Sequence, residues 1–484
     1  MVTTAVVLAD IEPVPSRLEA LVSAHQFGEI IFQKRRVVDY AIECLQRTGD
    51  HEIMLLRQGE ETSSLARPLL QSGLRRVLHM PTWLAPADPR SFCDRIQRML
   101  LIEQPCIGML DGVLVPVGAI GLDAYVKMLP ELAARPSTDL TKLVGDAVRM
   151  DLDRGFVDLR DPIGLIDLLS GAFSSRHFNR IERSRFHLRK FSSNTNKIQS
   201  EYDYYNHIPP EMQRWLVMPY DLRIEDGKYG SYKMERLLML DMGQQWVNGS
   251  VTVEEFERFL EDIFGFFDVR ARRSCSQDKA RQNFEKLYVE KVKHRKLDLE
   301  QLPVVSKLRE LMNQTSAMDS YERVFEAYFD LAADVKNELP DHECIGHGDP
   351  CFSNILYDKR IRLLRLIDPR GAADRDALWG DPHYDFAKLS HSVLGGYDYI
   401  VNGLYQLNLN ADLRLQLTTS EKSWLAYAAA FTRHLEGRFI DVRRIRILEA
   451  SLFLSLLPLH QDVPRNLAAF LLIAAHILRE VERQ

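Results

Sequence analysis

The sequence lacks several features that would set its class at once. None of its six cysteines, Cys44, Cys93, Cys106, Cys275, Cys344 and Cys351, forms a C-x-x-C pair. That excludes the usual spacing of a structural zinc site. A disulfide framework is not expected in so large a chain either, and a reducing cytoplasm is the natural compartment. Basic residues are not in excess: the formal net charge is -6, which gives no electrostatic reason for nucleic acid as the main partner. Long apolar runs are missing as well. The most apolar segment, "LAAFLLIAAHIL" from Leu467 to Leu478, is too short to cross a bilayer and reads as a buried helix. The opening "MVTTAVVLADIEPVPSRL" has no basic start followed by a long apolar stretch, so no signal peptide is expected. Internal repeats and low-complexity tracts are also absent.

What is present is a globular composition, 46% hydrophobic and 27% charged over 484 residues. That length calls for two or three domains. Up to about Leu132, short apolar runs alternate with helical patterns. "TAVVLA", "EIMLLR", "RVLHMP" and "CIGMLDGVLVP" read as strands, and "RRVVDYAIECLQRTG" reads as a helix closed by Gly49. Strand, helix, strand repeated in this way predicts an α/β domain with a parallel sheet. The Pro, Ser and Thr of "AARPSTDLTK" mark a connection. The expected organisation is an α/β domain over 1–135, a connection over 136–154, a small α+β lobe over 155–240 and a mostly helical lobe over 241–484. The basic run from Arg270 to Lys296 has Glu and Asp interleaved, so it reads as a solvated helix face rather than a nucleic-acid surface.

The chemistry concentrates in "HGDPCFSNILYDKRIRLLRLIDPRG", His347 to Gly371. Phosphoryl transfer needs a carboxylate near the attacking hydroxyl, oxygen ligands for magnesium, and a cation on the phosphates. Asp349 and Asn354 stand at the H-x-D-x-x-x-x-N spacing of a kinase catalytic loop, and an apolar strand then delivers Asp368.

With H-G-D-x-x-x-x-N in place of H-R-D, "LIDPRG" around Asp368, and "WGDPHYDFAKL" downstream, this portion resembles the aminoglycoside phosphotransferase and choline kinase family, within the protein-kinase-like fold. The resemblance implies a bilobal domain that uses ATP and Mg2+. Asp349 would be the catalytic base, with Asn354 and Asp368 as metal ligands and His347 orienting the loop. Asp381 and Asp385 would be structural. Upstream, "LSGAFSSRHFNRI" is similar to the family's loop over the phosphates, with Gly171, Ser174 and Ser175 as nucleotide contacts. Lys190 on a strand and Glu201 on the next helix would form the ion pair that positions the phosphates. Arg189 should point to the other face of that strand. "YKMERL" would join the lobes, with Glu235 beside the adenine. Where protein kinases place Phe-Gly after the metal-binding Asp, this chain has Pro369-Arg370-Gly371, and it has no A-P-E motif. That favours a small-molecule hydroxyl acceptor over a protein.

The first domain looks like a sugar-phosphate nucleotidyltransferase, with Asp111 in the place of a metal-binding residue. Yet "DIEPVPSRL" replaces the glycine-rich turn that should hold a triphosphate, and glycine is needed where backbone must approach phosphate closely. A degenerate domain that binds a ligand or a partner is expected. The whole chain reads as a cytoplasmic kinase acting on a hydroxyl of a sugar, polyol or amino alcohol, in bacterial surface-polysaccharide or headgroup biosynthesis. The rival readings are a bifunctional kinase and nucleotidyltransferase, and a non-catalytic nucleotide-binding scaffold.

Overall fold

The apolar run after the N-terminus becomes the strand β1, Thr4–Asp10, with all seven residues buried, as a strand covered on both faces requires. The structure, a computed structural model, describes the chain outside residues 1–3, 19, 33–34, 50, 61, 72, 135–146, 171–178, 185, 226–227, 316–319, 337, 373, 420–423 and 484. It divides into two units. One comprises Met1–Phe173 and Asn248–Ser250, and the other Ser174–Val247 and Val251–Gln484.

In the first unit, β1 lies between two parallel neighbours, β2 (Glu52–Arg57) and β3 (Arg76–Pro81). Helices α1 (Val37–Gln46) and α2 (Thr62–Gln71) lie between these strands in sequence. The expected alternation therefore holds here. It fails at "CIGMLDGVLVP", which is not one strand but two: β4 (Cys106–Leu110) and β5 (Val113–Gly121). Asp111 and Gly112 both have positive φ, 50° and 77°. Asp-Gly is the pair that a two-residue hairpin turn demands. Consequently β5 runs antiparallel to both β4 and β3, while β6 (Val148–Asp151) joins β4 in parallel. The sheet, in order β2-β1-β3-β5-β4-β6, is mixed and not parallel throughout. Asp111, read from the sequence as a metal ligand on a strand, sits at the tip of this hairpin. At the end of β1 the Asp10 carboxylate accepts from Gly28 N (2.9 Å) and Thr82 Oγ1 (2.6 Å).

The second unit opens with a four-stranded antiparallel sheet of β7 (Asn179–Arg183), β8 (His187–Ser192), β9 (Pro219–Glu225) and β10 (Tyr229–Glu235), in the order β7-β8-β10-β9. Helix α3 (Thr195–His207) starts where the Asn194 side chain accepts from Lys197 N, an N-cap that satisfies one of the helix's unpaired amides. The remainder is mainly helical. It includes α4 (Val253–Asp268), α5 (Lys291–Glu300), α6 (Tyr384–Val393), α7 (Val442–Leu456) and α8 (Pro464–Glu482). Three short strands, β11 (His342–Ile345), β12 (Ile355–Asp358) and β13 (Leu363–Leu366), carry the segment between α5 and α6. The apolar stretch from Leu467 to Leu478 is buried in α8, as expected, and among the described residues no helix is long and apolar enough to cross a membrane. The basic run beginning at Arg270 departs from expectation at its first residue. Arg270 is buried because it has a carboxylate partner inside the domain.

Two further carboxylates are buried close together. Asp241 accepts from Gln244 N at 2.9 Å. A Cβ on Gly243 would meet Asp241 Oδ1 at 2.9 Å and Asp398 Oδ1 at 3.0 Å, so glycine is the residue that lets both approach. Burial pushes Asp241 up to about 8 and Asp398 up to about 6. A carboxyl whose folded pKa is raised weakens the fold as pH climbs from its unfolded value to its folded one. Stability should therefore fall between about pH 4 and about pH 8, and Asp241→Asn, which stays neutral, should flatten that slope. Melting temperatures of both proteins across this range test it; parallel slopes would show that Asp241 is not the group responsible.

Candidate active site

Strand alternation separates two adjacent cations on β8. Arg189 faces one side, where it pairs with Asp221 and donates to Ser231 Oγ at 3.0 Å. Lys190 faces the other, toward α3, and its Nζ lies 2.8 Å from Glu201 Oε2 and 2.8 Å from Asp368 Oδ1. Side-chain exposure is 2% for Lys190 and 4% for Glu201, so neither charge could stand without the other. Burial works against the Lys190 ammonium, but Asp368 and Glu201 outweigh it and raise its pKa. Tyr232, opposite Lys190 on β10, donates to Glu201 Oε2 at 3.1 Å.

β11 leads into the loop that carries Asp349. The Asp385 carboxylate on α6 accepts from His347 N (2.9 Å) and Gly348 N (2.8 Å) and pairs with Arg270 Nη1 (3.1 Å). Tyr204 of α3 donates its hydroxyl to Gly346 O at 2.9 Å. Further along, Asn354 Nδ2 donates to Asp349 O at 2.9 Å, which closes the five-residue step between the two. The chain around Asp368 is then tied to the same loop by two backbone bonds, Ile367 N to Asn354 O (3.0 Å) and Arg370 N to His347 O (2.7 Å). Asp368 itself has φ 56°, a left-handed conformation that a non-glycine residue adopts at a cost. Three residues on, a Cβ at Gly371 would fall 1.8 Å from Ser200 O, so only glycine lets this segment lie against α3.

Lys190, Glu201, Asp349, Asn354 and Asp368, drawn from three separate parts of the sequence, are thus connected by direct contacts or short backbone links. Glu235 is not brought to them: it is exposed at the end of β10, its backbone paired with His187. Gly171, Ser174 and Ser175 lie outside the described residues. A narrow cavity opens beside the buried pair, lined by Glu201, Tyr232, Met234, Ile367 and Asp368 among others.

Sequence reasoning missed Lys388, whose Nζ is 2.9 Å from Asp349 Oδ1. Burial would raise the Asp349 pKa; Lys388, with help from His347 and Arg370, reverses that and holds it down at about 2. Lys388 lies one turn beyond Tyr384 on α6, and nothing in its local sequence marks it.

Residues 170–398 match the family model described as the phosphotransferase enzyme family. The chain contains a phosphotransferase-family domain. Solved structures similar to it include the apo form of a thermostable mutant of aminoglycoside phosphotransferase APH(4)-Ia, at 13% identity over 64% of this chain and 93% of that one (TM-score 0.40). A ternary complex of a further mutant with AMP-PNP and hygromycin B matches at 13% identity over 63% and 92% (TM-score 0.39). A glucosamine kinase matches at 12% identity over 68% and 86% (TM-score 0.36). No curated protein matches the sequence. The nucleotidyltransferase resemblance of the first unit rests on its sequence alone.

In the phosphotransferase-family domain, Arg270 is what allows Asp385 to remain charged in the interior. Removing one partner of a buried pair leaves an uncompensated charge, at a cost of about 3–5 kcal/mol. Arg270→Met should lower stability by about that amount, read by urea unfolding, while Arg270→Met with Asp385→Leu should recover part of it. A loss below about 1 kcal/mol in the single variant, the range of a surface pair, would show that the pair does not hold the loop.

Proposed function

We propose that the chain is an ATP- and Mg2+-dependent phosphotransferase that acts on a hydroxyl of a small molecule. The observation that carries this is the convergence on Asp368: Lys190 bridges it to Glu201, and backbone bonds tie its segment to the loop of Asp349 and Asn354.

The donor set fits magnesium. Asn354 Nδ2 is committed to Asp349 O, which leaves its side-chain oxygen for a cation, and Asp368 supplies a carboxylate. Among the described residues no group of three or more His, Cys, Asp or Glu is placed to hold a metal. Magnesium in ATP sites does not need one, since it takes one or two protein ligands and completes its shell with phosphates and water. Bound there, it would neutralise charge on the transferred phosphoryl group. Lys190 would place a second positive charge against the nucleotide phosphates, and Glu201 would hold that lysine in position. Asp349 would orient the acceptor hydroxyl and take its proton. A pKa near 2 makes Asp349 a weak base, which suits a loose transition state in which little proton transfer is needed before the phosphoryl group departs. Gly171, Ser174 and Ser175 are proposed to cover the phosphates, and the backbone around Glu235 to face the adenine.

Within this reading, the lobe expected from residue 155 begins instead at Ser174, where the second unit starts, residues 241–484 form the second lobe, and the N-terminal unit binds a ligand or partner. A sugar, polyol or amino alcohol as acceptor, and a role in surface-polysaccharide or headgroup synthesis, are supported only by analogy. In such pathways phosphorylation precedes nucleotidyl transfer, and the N-terminal unit resembles enzymes of the second step.

Asp349→Asn removes the base and not the nucleotide contacts. Turnover should fall by ~10²–10⁴ with ATP affinity nearly unchanged, measured by ADP release and by nucleotide titration. Wild-type turnover would show that Asp349 is not the base. Asp368→Ala should weaken ATP binding in magnesium more than metal-free ATP binding. Equal losses in the two titrations would make Asp368 structural only.

A further inference from the structure

Asp349 is surrounded by more positive charge than one carboxylate can balance. Lys388 pairs with it directly, at 2.9 Å. Next to Lys388 on α6, the Tyr384 hydroxyl receives Arg370 Nη1 at 3.1 Å and Lys291 Nζ at 3.4 Å. Three cations from three separate segments therefore converge on one phenol and one carboxylate. Among the described residues, neither Arg370 nor Lys291 has a carboxylate oxygen within 4.0 Å, although Asp349 still acts on Arg370 from further away. The crowding is felt: burial lowers the Lys291 pKa, and Arg370 and Lys388 lower it further. At Tyr384, burial would raise the phenol, but Lys388, Lys291 and Arg370 outweigh it and pull it below its ordinary value.

The cations are held in place by the backbone. Arg370 follows the segment of Asp368, and its N–H is bonded to His347 O at 2.7 Å. Gly348 has φ 81°, and a Cβ there would meet Arg370 Cβ at 2.5 Å, so the arginine lies directly on the loop of Asp349. Lys291 begins α5 immediately after a π-helical stretch, Glu285–Glu290, a rare helical form that is frequent at functional sites. Arg370 is exposed, Lys291 is half-buried and Lys388 is mostly buried, so the cluster is reached from solvent on the side of Arg370. Like charges gathered without partners cost stability unless something of opposite charge joins them.

We propose that Arg370, Lys291 and Lys388 form an oxyanion subsite beside Asp349, and that the acceptor is a hydroxyl compound carrying a phosphate or carboxylate group. This rests on the phosphotransferase reading above and narrows its acceptor. In the reaction the acceptor's hydroxyl oxygen bonds to the γ-phosphorus of ATP, the bond from that phosphorus to the β,γ-bridging oxygen breaks, ADP departs, and the hydroxyl proton goes to Asp349. The acceptor's existing anionic group is unchanged and stays on Arg370 and Lys291. The nucleotide phosphates are not what this cluster serves, because Lys190 already supplies their cation at Asp368.

The test uses the full chain with MgATP and matched acceptors: hexose 6-phosphates, hexuronic acids, the parent hexoses and amino sugars. The acidic members should have kcat/KM at least about tenfold above the neutral ones, the order expected of a charge-assisted hydrogen bond. Arg370→Gln and Lys291→Gln should each raise the acceptor KM about tenfold while the ATP KM stays within about twofold. Equal or better use of neutral or amino acceptors would overturn the proposal, and so would a rise in the ATP KM in place of the acceptor KM. A second measurement does not depend on having found the acceptor's skeleton. With the nucleotide site saturated by ADP and magnesium, millimolar sulfate should raise the melting temperature of the wild type and have no such effect on the Arg370→Gln, Lys291→Gln double variant. Absence of a sulfate effect on the wild type, or an equal effect on the variant, would overturn the subsite. Failure of the phosphotransferase reading itself would appear elsewhere, as loss of magnesium-dependent ATP binding in the wild type.

Discussion

Asp385 is the carboxylate on which the arrangement of the candidate site depends. It is buried, and it takes the backbone N–H groups of His347 and Gly348 together with the Arg270 guanidinium. Two consecutive amides donating to one carboxylate fix the loop's path before any ligand arrives. The arginine makes that geometry affordable, because a lone carboxylate in an interior would protonate instead and give up an acceptor. Everything downstream is then placed by short links: Asp349 by the loop, Asn354 by its bond to Asp349 O, and the segment of Asp368 by Ile367 and Arg370. The α6 helix that supplies Asp385 also supplies Lys388 and Tyr384, so one helix sets both the loop and the charge around it.

Lys190 shows the same economy from the other side. Its ammonium is shared between Glu201 and Asp368, and Tyr232 adds a hydrogen bond to Glu201. A lysine this deeply buried would lose its proton if burial acted alone; two carboxylates within hydrogen-bond distance keep it charged. The pair is therefore preorganised, a property that phosphoryl transfer rewards, since in that chemistry positioning and charge stabilisation are almost all the protein contributes.

How much of this was legible in the sequence follows from how local each feature is. Asp349, Asn354 and Asp368 lie within one short stretch whose spacing is dictated by the loop they share, so the order of residues alone is enough to single them out. Strand alternation separates Lys190 from Arg189 without choosing between them, and the structure puts the two on opposite faces as that rule requires. Features made by tertiary pairing were not legible. Arg270 stands at the head of a run that looks like a solvated face, and only Asp385, more than a hundred residues away in the chain, explains why it is buried. Lys388 and Lys291 are ordinary helical lysines until the fold brings them to Asp349 and Tyr384. At "MLDGVLV" the misreading had a local cause. The apolar run on either side of Asp-Gly looked continuous, and the turn signal it contained was passed over in favour of a resemblance. The hairpin that resulted reverses β5 and makes the sheet mixed.

The contrast between satisfied and unsatisfied charge is the more general lesson of the second unit. Arg270 with Asp385, Lys190 with Glu201 and Asp368, and Arg446 with Glu449 are buried cations, each with a carboxylate within about 3 Å. In each of these three cases the domain supplies the internal cation with its own counter-charge. Around Tyr384 it does not: Arg370 and Lys291 face a phenol, and the Asp349 carboxylate is already engaged by Lys388. Even a phenol whose pKa these cations pull below its ordinary value offers at most one negative charge for two. The imbalance is confined to the side of the site where Asp349 would meet its acceptor, and it is absent where Lys190 would meet the nucleotide. Charge left unbalanced beside the proposed base, in a domain that balances it elsewhere, is what a site for a negatively charged substrate requires, since the substrate itself then supplies the missing counter-charge.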